Sequence, residues 1–464
     1  MSRDQARAQV RDYFASGTFE LDLARRVAVP TQSQVPEGLT HTRTYLTDEM
    51  VPAFEVMGFT CQIFENPVPG VGPILLATRD EGADLTVLGY GHGDVIRAQT
   101  ELWTKGAGPW KLARDGERLY GRGTADNKAQ HLINMAALGA VLETRGKLGF
   151  NAKFIVEMAE ENGSQGLGQV IADNKAAFAA DLFIASDGPR VSPDRPTVSL
   201  GARGGENFDL VVSLREGAHH SGNWGGALAD PGMILSHALA SICTSTGQIL
   251  VQEWLPPPMT NAVREVLSSV TLSPGDDGPQ IDPDWGEPGM TTAEKVYGWN
   301  SFAVLAMGSG NAAAPVNAIQ PEARAHCQLR YIAGTDVDDM LPALRRHLDA
   351  HGFSVVRIDP PTGRNAAGFR ASRTEPDDPW ALWVRQAIER TTGSPPAVIP
   401  QMGGSICNDL FTDLLGLPAI WIPHSYTGCS QHAPDEHVLI SVCESALDVM
   451  AGVYWDLGET ALRP

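Results

Sequence analysis

Apolar and polar positions along this chain change period several times, and the changes mark out its elements. Residues 21–29 repeat apolar side chains at helical spacing and stop at Pro30, which cannot continue a helix. Residues 51–59 read as a helix end, followed by a strand over 60–64. Further on, residues 85–90, 153–158 and 182–186 are short apolar runs of strand length. Residues 128–144, through Leu132, Met135, Ala136 and Val141, and residues 166–174 read as helices between them. Strands alternating with helices predict an α/β layer structure with a mixed, largely parallel sheet and helices on both faces. The pattern shifts near 199. Strand 207–214, helix 231–242, strands 301–307 and 323–331, helix 336–351 and strand 353–358 follow the β-α-β-β-α-β order of a ferredoxin-like α+β unit. A Pro/Gly/Asp-rich insert over 254–298 interrupts it. Helix 380–392 and strand 417–422 return to the α/β pattern. The expected organisation is an α/β domain built from 1–198 and 371–464, with a smaller domain, 199–370, inserted in it.

Composition narrows the function. The 464 residues are 43% hydrophobic and 19% charged, which is globular and too long for one ordinary core. A net charge of -20 argues against nucleic acid or an anionic membrane as partner. The N-terminal MSRDQARAQVRDYFASG lacks the apolar core of a signal peptide, and no run approaches the roughly 18 apolar residues of a membrane span. The six cysteines, at 61, 243, 327, 407, 429 and 443, form no CxxC pair, so reduced thiols in a cytoplasmic protein are expected.

Candidate chemistry gathers where strands end. Residues i and i+2 of a strand share a face, so His92 and Asp94 of GHGDV leave the end of strand 85–90 together. A carboxylate there can fix an imidazole's tautomer for metal binding. Asp126 in GRGTADNK, Glu160 and Glu161 in EENGSQGL, Asp187 in SDG and His432 in QHAPDE occupy similar positions. In open α/β sheets ligands collect at the carboxyl ends of strands. Two imidazoles and several carboxylates suit zinc first, then manganese or cobalt. Each piece has a plainer reading alone: Asp126 as a helix N-cap, Glu160–Glu161 as a solvated strand end, Asp187-Gly188 as a turn, His432 as a loop histidine. Cys429, three residues before His432, could suggest a thiol nucleophile, but no second His/Asn set supports it. Gly403-Gly404-Ser405 is not a G-x-S-x-G elbow, and Gly201-Ala-Arg-Gly-Gly-Glu precedes a strand, so it is not a dinucleotide fingerprint.

Taken in order, GHGDV, GRGTADNK, EENGSQGL, SDG, GGS and QHAPDE resemble the M20 family of dinuclear zinc peptidases, its carnosinase-like dipeptidase branch above all. Ser199-Leu-Gly-Ala-Arg-Gly, His220-Ser-Gly-Asn-Trp-Gly-Gly, Asn317-Ala-Ile and Gln328-Leu-Arg330 are similar to the same branch. The resemblance implies a zinc-peptidase catalytic domain with an inserted lid and dimerisation domain. It implies two Zn2+ per chain, with Co2+ or Mn2+ as alternatives. Asp126 would bridge them, His92 and Asp187 would complete one, and Glu161 and His432 the other. Asp94 would orient His92, and Glu160 would be the general base acting on water. His220, Asn317, Arg330, Gly404 and Ser405 would hold the substrate, with His220 reaching the partner subunit's active site across a homodimer. The implied activity is hydrolysis of the amide bond of a dipeptide or small N-acyl amino acid. The alternatives are a non-peptide amide, carbamoyl or aryl-amine substrate at the same centre, and a catalytically silent binding protein. Two departures stand out. Asn127 and Ala129 follow Asp126 where the family usually has Asp and Gly, and Trp224 stands where Phe or Tyr is commoner.

Overall fold

The computed structural model describes residues 2–272, 279–360 and 369–462. The chain forms two compact units. One comprises Met1–Gly201, Asn261–Gln280 and Arg373–Pro464; the other comprises Ala202–Thr260 and Ile281–Ser372. Residues 261–280, inside the range expected for the inserted domain, group with the first unit. Helix Asn261–Ser268 is the reason: it buries Val263, Val266 and Leu267, and Val266 joins the first unit's core.

The first unit opens with helices α1 (Arg3–Ala15) and α2 (Thr18–Val27). Strands β1 (Thr60–Phe64), β2 (Ile74–Arg79) and β3 (Thr86–His92) follow, then helix α3 (Lys128–Arg145) and strands β4 (Asn151–Glu157), β5 (Leu182–Ala185) and β6 (Thr197–Ser199). Beyond its first residue β3 is buried throughout, as expected of a strand covered on both faces. Helix α3 ends at Gly146, whose φ of 80° is the left-handed turn that glycine adopts freely.

The second unit contains β7 (Gly204–Ser213), β8 (His219–His220), α4 (Pro231–Ile242), β9 (Ser301–Gly308), β10 (Ala318–Ile319), β11 (Glu322–Tyr331), α5 (Met340–Ala350) and β12 (Arg357–Asp359). Four strands form an antiparallel sheet in the order β9-β11-β7-β12, and β8 pairs separately with β10. Phe208, Leu210 and Val212 alternate inward from β7, and Ala325, Cys327 and Leu329 from β11, onto Leu235 and Ala238 of α4 and Leu344 and Leu348 of α5. Helix α4 begins where it does because Asp230 accepts the N–H groups of Gly232 and Met233, with Pro231 in the first turn. The last strand lies at 357–359 rather than 353–358. Phe353 still closes onto the end of α5 through the Leu348 carbonyl, and Val356 is spent on the core.

The chain then returns to the first unit with α6 (Pro379–Thr392), β13 (Ala397–Ile399), β14 (Ala419–Trp421) and α7 (Ile440–Leu457). The completed sheet has eight strands in the order β1-β2-β4-β3-β5-β14-β6-β13. It is parallel at β4–β3, β3–β5, β5–β14 and β6–β13, and antiparallel at β1–β2, β2–β4 and β14–β6. Arg3 and Arg7 of α1 pair with Asp456 and Asp448 of α7 at 2.8 and 2.6 Å, fastening the two ends of the chain together. The adjacent parallel strands β4, β3 and β5 all deliver their carboxyl ends to one place.

Candidate metal centre

His92 is the last residue of β3, Glu160 and Glu161 open the one-turn helix after β4, and Asp187 lies just past β5. Asp126 precedes α3. Its side chain does not cap that helix; the N-cap position is Asn127, and no side-chain bond is made there. Asp126 instead divides its carboxylate between two groups. Oδ1 lies 2.8 Å from His92 Nε2, which is also 3.6 Å from Asp187 Oδ2. Oδ2 lies 3.0 Å from His432 Nε2, which is 3.1 Å from Glu161 Oε2. The structure thus brings together His92, Asp126 and Asp187 as one triad, and Asp126, Glu161 and His432 as another. In each, one donor atom per residue lies within 4.8 Å of the others.

Such a donor set fits divalent cations. Two atoms bound to one tetrahedral zinc at about 2.0–2.2 Å lie roughly 3.4 Å apart, the scale of the separations found here. The charges point the same way. Burial, countered by His92 and reinforced by Asp187, Glu161 and Asp126, raises the pKa of Glu160 well above its ordinary value. Burial and the charge of Asp126 bring Glu161 to about 7 and Asp187 to about 6. Burial works against His92 as a cation, but its bonds to Asp126 and Asp94 outweigh this and raise its pKa. Crowded buried carboxylates of this kind are what a bound cation neutralises.

Asp94 does more than sit beside His92. The ring's Nδ1 lies 3.1 Å from the Asp94 carbonyl and 3.5 Å from its carboxylate. That carboxylate accepts the backbone N–H groups of Glu160 and Glu161, each at 3.2 Å, so one residue orients both the imidazole and the acidic turn.

The other expected site residues are distributed as follows. Gly404 is exposed and Ser405 half-buried in a loop of the first unit; two residues on, Cys407 Sγ approaches Glu157 Oε1 at 3.7 Å. His220, Asn317 and Arg330 belong to the second unit. His220 and Asn317 are neighbours there, since β8 pairs with β10 and the Ser221 N–H donates to the Asn317 carbonyl. Arg330 lies on β11 and donates from Nε to Gln328. Trp224 is exposed on the same unit.

Two supporting residues escaped the sequence reading. Glu436 is buried and accepts the N–H groups of Gly123, Ala125 and Asp126 while pairing with Arg122 at 2.8 Å, which shapes the loop that presents Asp126. Its position four residues after His432 was the available signal. Lys128 is buried, donates to the Arg26 and Val29 carbonyls, and is brought by burial to a pKa of about 7.

Fold and site together define an α/β protein with two triads of metal-ligand side chains at the carboxyl ends of a mixed sheet and a ferredoxin-like unit inserted in the chain. Comparison with known proteins agrees. Residues 88–456 match Peptidase family M20/M25/M40, and the chain belongs to that family. It is 28% identical over 334 residues to the cysteinylglycine-S-conjugate dipeptidase of Corynebacterium striatum, covering 69% of each protein. It is 36% identical over 191 residues to the beta-Ala-His dipeptidase of Homo sapiens, covering 40% of this chain and 36% of that one, so this match spans about a third of the human protein. The solved structure of a Saccharomyces cerevisiae di-peptidase superposes with a TM-score of 0.79 at 20% identity over 99% of both chains, which shows the shared fold. Among the described residues no helix is long and apolar enough to cross a membrane.

Proposed function

We propose that this protein hydrolyses the amide bond of a dipeptide or small N-acyl amino acid at a centre of two zinc ions. The observation that carries the reading is the shared carboxylate: Asp126 meets His92 through Oδ1 and His432 through Oδ2, and belongs to both triads, with Asp187 in one and Glu161 in the other. When bound, a pair of divalent ions supplies an activated water and polarises the scissile carbonyl. The remaining work falls to side chains. Glu160 belongs to neither triad yet lies on the same turn as Glu161, and its backbone is held by Asp94. That position suits a base that takes a proton from the attacking water and returns it to the leaving nitrogen. On the first unit, the backbone and hydroxyl of Gly404 and Ser405 suit a carboxylate; on the second, the guanidinium of Arg330 suits a carboxylate, and His220 and Asn317 suit a carbonyl.

A homodimer through the second unit fits the same reading. Strand β9 lies at the edge of its sheet and exposes Val304, Leu305 and Met307, at 42%, 58% and 47%. An open apolar edge of this kind is suited to pairing with a second copy. Cys61, Cys243, Cys327, Cys407, Cys429 and Cys443 are all unpaired thiols, which suits a reducing, cytoplasmic setting. The test is elemental analysis of purified protein together with a panel of dipeptides, N-acyl amino acids and non-peptide amides, before and after chelation. Two zinc ions per chain and chelator-sensitive dipeptide turnover are expected. An active preparation with only trace metal would overturn the proposal, and turnover confined to non-peptide amides would reassign the substrate.

A further inference from the structure

Asn127 stands where the resembled family usually carries a second aspartate, and the structure gives it work an aspartate could not do. Its Nδ2 donates to the Ser186 carbonyl at 2.8 Å. Its Oδ1 faces His131 Nδ1 at 3.2 Å, one helical turn along α3. His131 Nε2 in turn meets the Tyr45 hydroxyl at 2.6 Å. All four residues are buried.

The direction of every bond in this chain is determined. The Ser186 carbonyl can only accept, so residue 127 must present N–H there. That leaves Oδ1, also only an acceptor, for His131, whose Nδ1 must then carry the ring's proton. Nε2 remains as acceptor for the Tyr45 O–H. A carboxylate at 127 would set an oxygen against the Ser186 oxygen and break the sequence at its first link. Ser186 is pinned at its other polar atom as well: Oγ accepts from Asn134 Nδ2 at 2.8 Å and lies 2.9 Å from His424 Nε2.

We propose that Asn127, His131 and Tyr45 form a polar tie that positions His92 and Asp187, the two ligands peculiar to one candidate set, beside the shared Asp126, and leaves Glu161 and His432 to other contacts. Each ligand of that set has a neighbour in the tie. Asn127 follows Asp126, and Ser186 precedes Asp187. Gly91 precedes His92, and it must be glycine because a Cβ there would lie 2.4 Å from the His131 Cβ and 3.2 Å from Asn127 Oδ1. None of these hydrogen bonds reaches Glu161 or His432. Glu161 is held by its N–H on Asp94, and His432 meets the tie only through Asp126, which both sets share. Asn127, His131 and Tyr45 are therefore positioning residues, acting through the ligands beside them.

The inference rests on the two-ion reading, and the experiment separates the two. Metal-free full-length protein is titrated with zinc against a chromophoric chelator, for the parent chain and for Asn127→Ala, His131→Phe and Tyr45→Phe. The parent should give two dissociation constants. Loss of an outer partner of a metal ligand typically weakens affinity about 10–100-fold, so Asn127→Ala and His131→Phe should weaken one constant on that scale and move the other by less than about threefold. The weakened constant should persist in a His432→Ala background and vanish in a His92→Ala background, which assigns it to the first ligand set. Tyr45→Phe removes a single O–H, keeps the ring, and should show the same selectivity at smaller size even where the other variants fold poorly. Two constants that weaken together, or neither moving, would overturn the tie. A parent chain that takes up no zinc would overturn the two-ion reading itself.

Discussion

Replacing Glu160 by Gln separates a base from a ligand. The change keeps the shape of the side chain and removes its charge and its capacity to accept a proton. All five donor residues of the two triads, His92, Asp126, Asp187, Glu161 and His432, remain in place. The turn survives because the contact that fixes it is the backbone N–H of Glu160 on Asp94. Zinc content should therefore stay at two per chain. A positioned general base contributes about 10²–10⁴-fold, so kcat for a cleaved dipeptide should fall by at least about a hundredfold, equivalent to roughly 3 kcal/mol or more of barrier. The metal-free variant should also melt higher than the metal-free parent. Because its folded pKa is raised, Glu160 must take up a proton or bury a charge on folding above the unfolded value of about 4.5, and Gln carries neither cost. Steady-state hydrolysis, elemental analysis of desalted protein and thermal unfolding with and without chelator measure all three. A kcat within about fivefold of the parent would put the base elsewhere. A variant holding one zinc would make Glu160 a ligand and reverse the roles of 160 and 161.

Three more outcomes are expected. His220→Ala should lower kcat by roughly 10²–10³-fold with zinc unchanged, as for loss of an oxyanion donor. Mixing it with Glu160→Gln chains should restore activity in heterodimers, whereas verified heterodimers that stay inactive would confine His220 to its own chain. Leu305→Lys on β9 should shift the protein to monomer in analytical ultracentrifugation, and an unchanged sedimentation coefficient would place the interface elsewhere. Glu81 is held below its ordinary pKa: burial pushes it up, but the N–H groups of Leu148 and Gly149 and the Arg79 guanidinium outweigh this. Its contribution is thus present above the unfolded value of about 4.5 and lost as pH falls through the folded one. Glu81→Gln should cost about 1–3 kcal/mol near pH 7 in denaturant melts and flatten the acid limb below pH 5; an unchanged acid limb would refute it.

The sequence was most legible where period and punctuation agreed. Helix 231–242 was found residue for residue because Asp230 and Pro231 open it and an apolar stripe runs to Ile242. Three kinds of element were not. Helix α1 buries only Ala6 and Val10, so it carries no stripe. Helix α7 is apolar on nearly every side because it is enclosed, so its period is erased. Strand β2 is a short apolar run whose type periodicity cannot decide. At the site, acids and imidazoles at strand ends were visible as a set. The bonds that support them were not: Asn127 showed only as a departure beside Asp126, Tyr45 comes from a remote segment, and His131 occupies what reads as an ordinary interior helix position.

The order of strands in the central sheet sets a schedule for biosynthesis. Strand β14, made after residue 418, lies between β5 and β6, which leave the ribosome more than two hundred residues earlier. Until it arrives those two strands have no common neighbour and the sheet cannot close. His432 and Glu436 come later still, and without them Asp126 has neither its second imidazole nor the carboxylate that shapes its loop. The second unit, by contrast, has its whole four-stranded sheet in hand by residue 359. A nascent chain therefore completes its interrupting unit first and its hydrolytic unit last. Until residues 419–436 emerge, a ribosome-bound chain carries no finished peptidase.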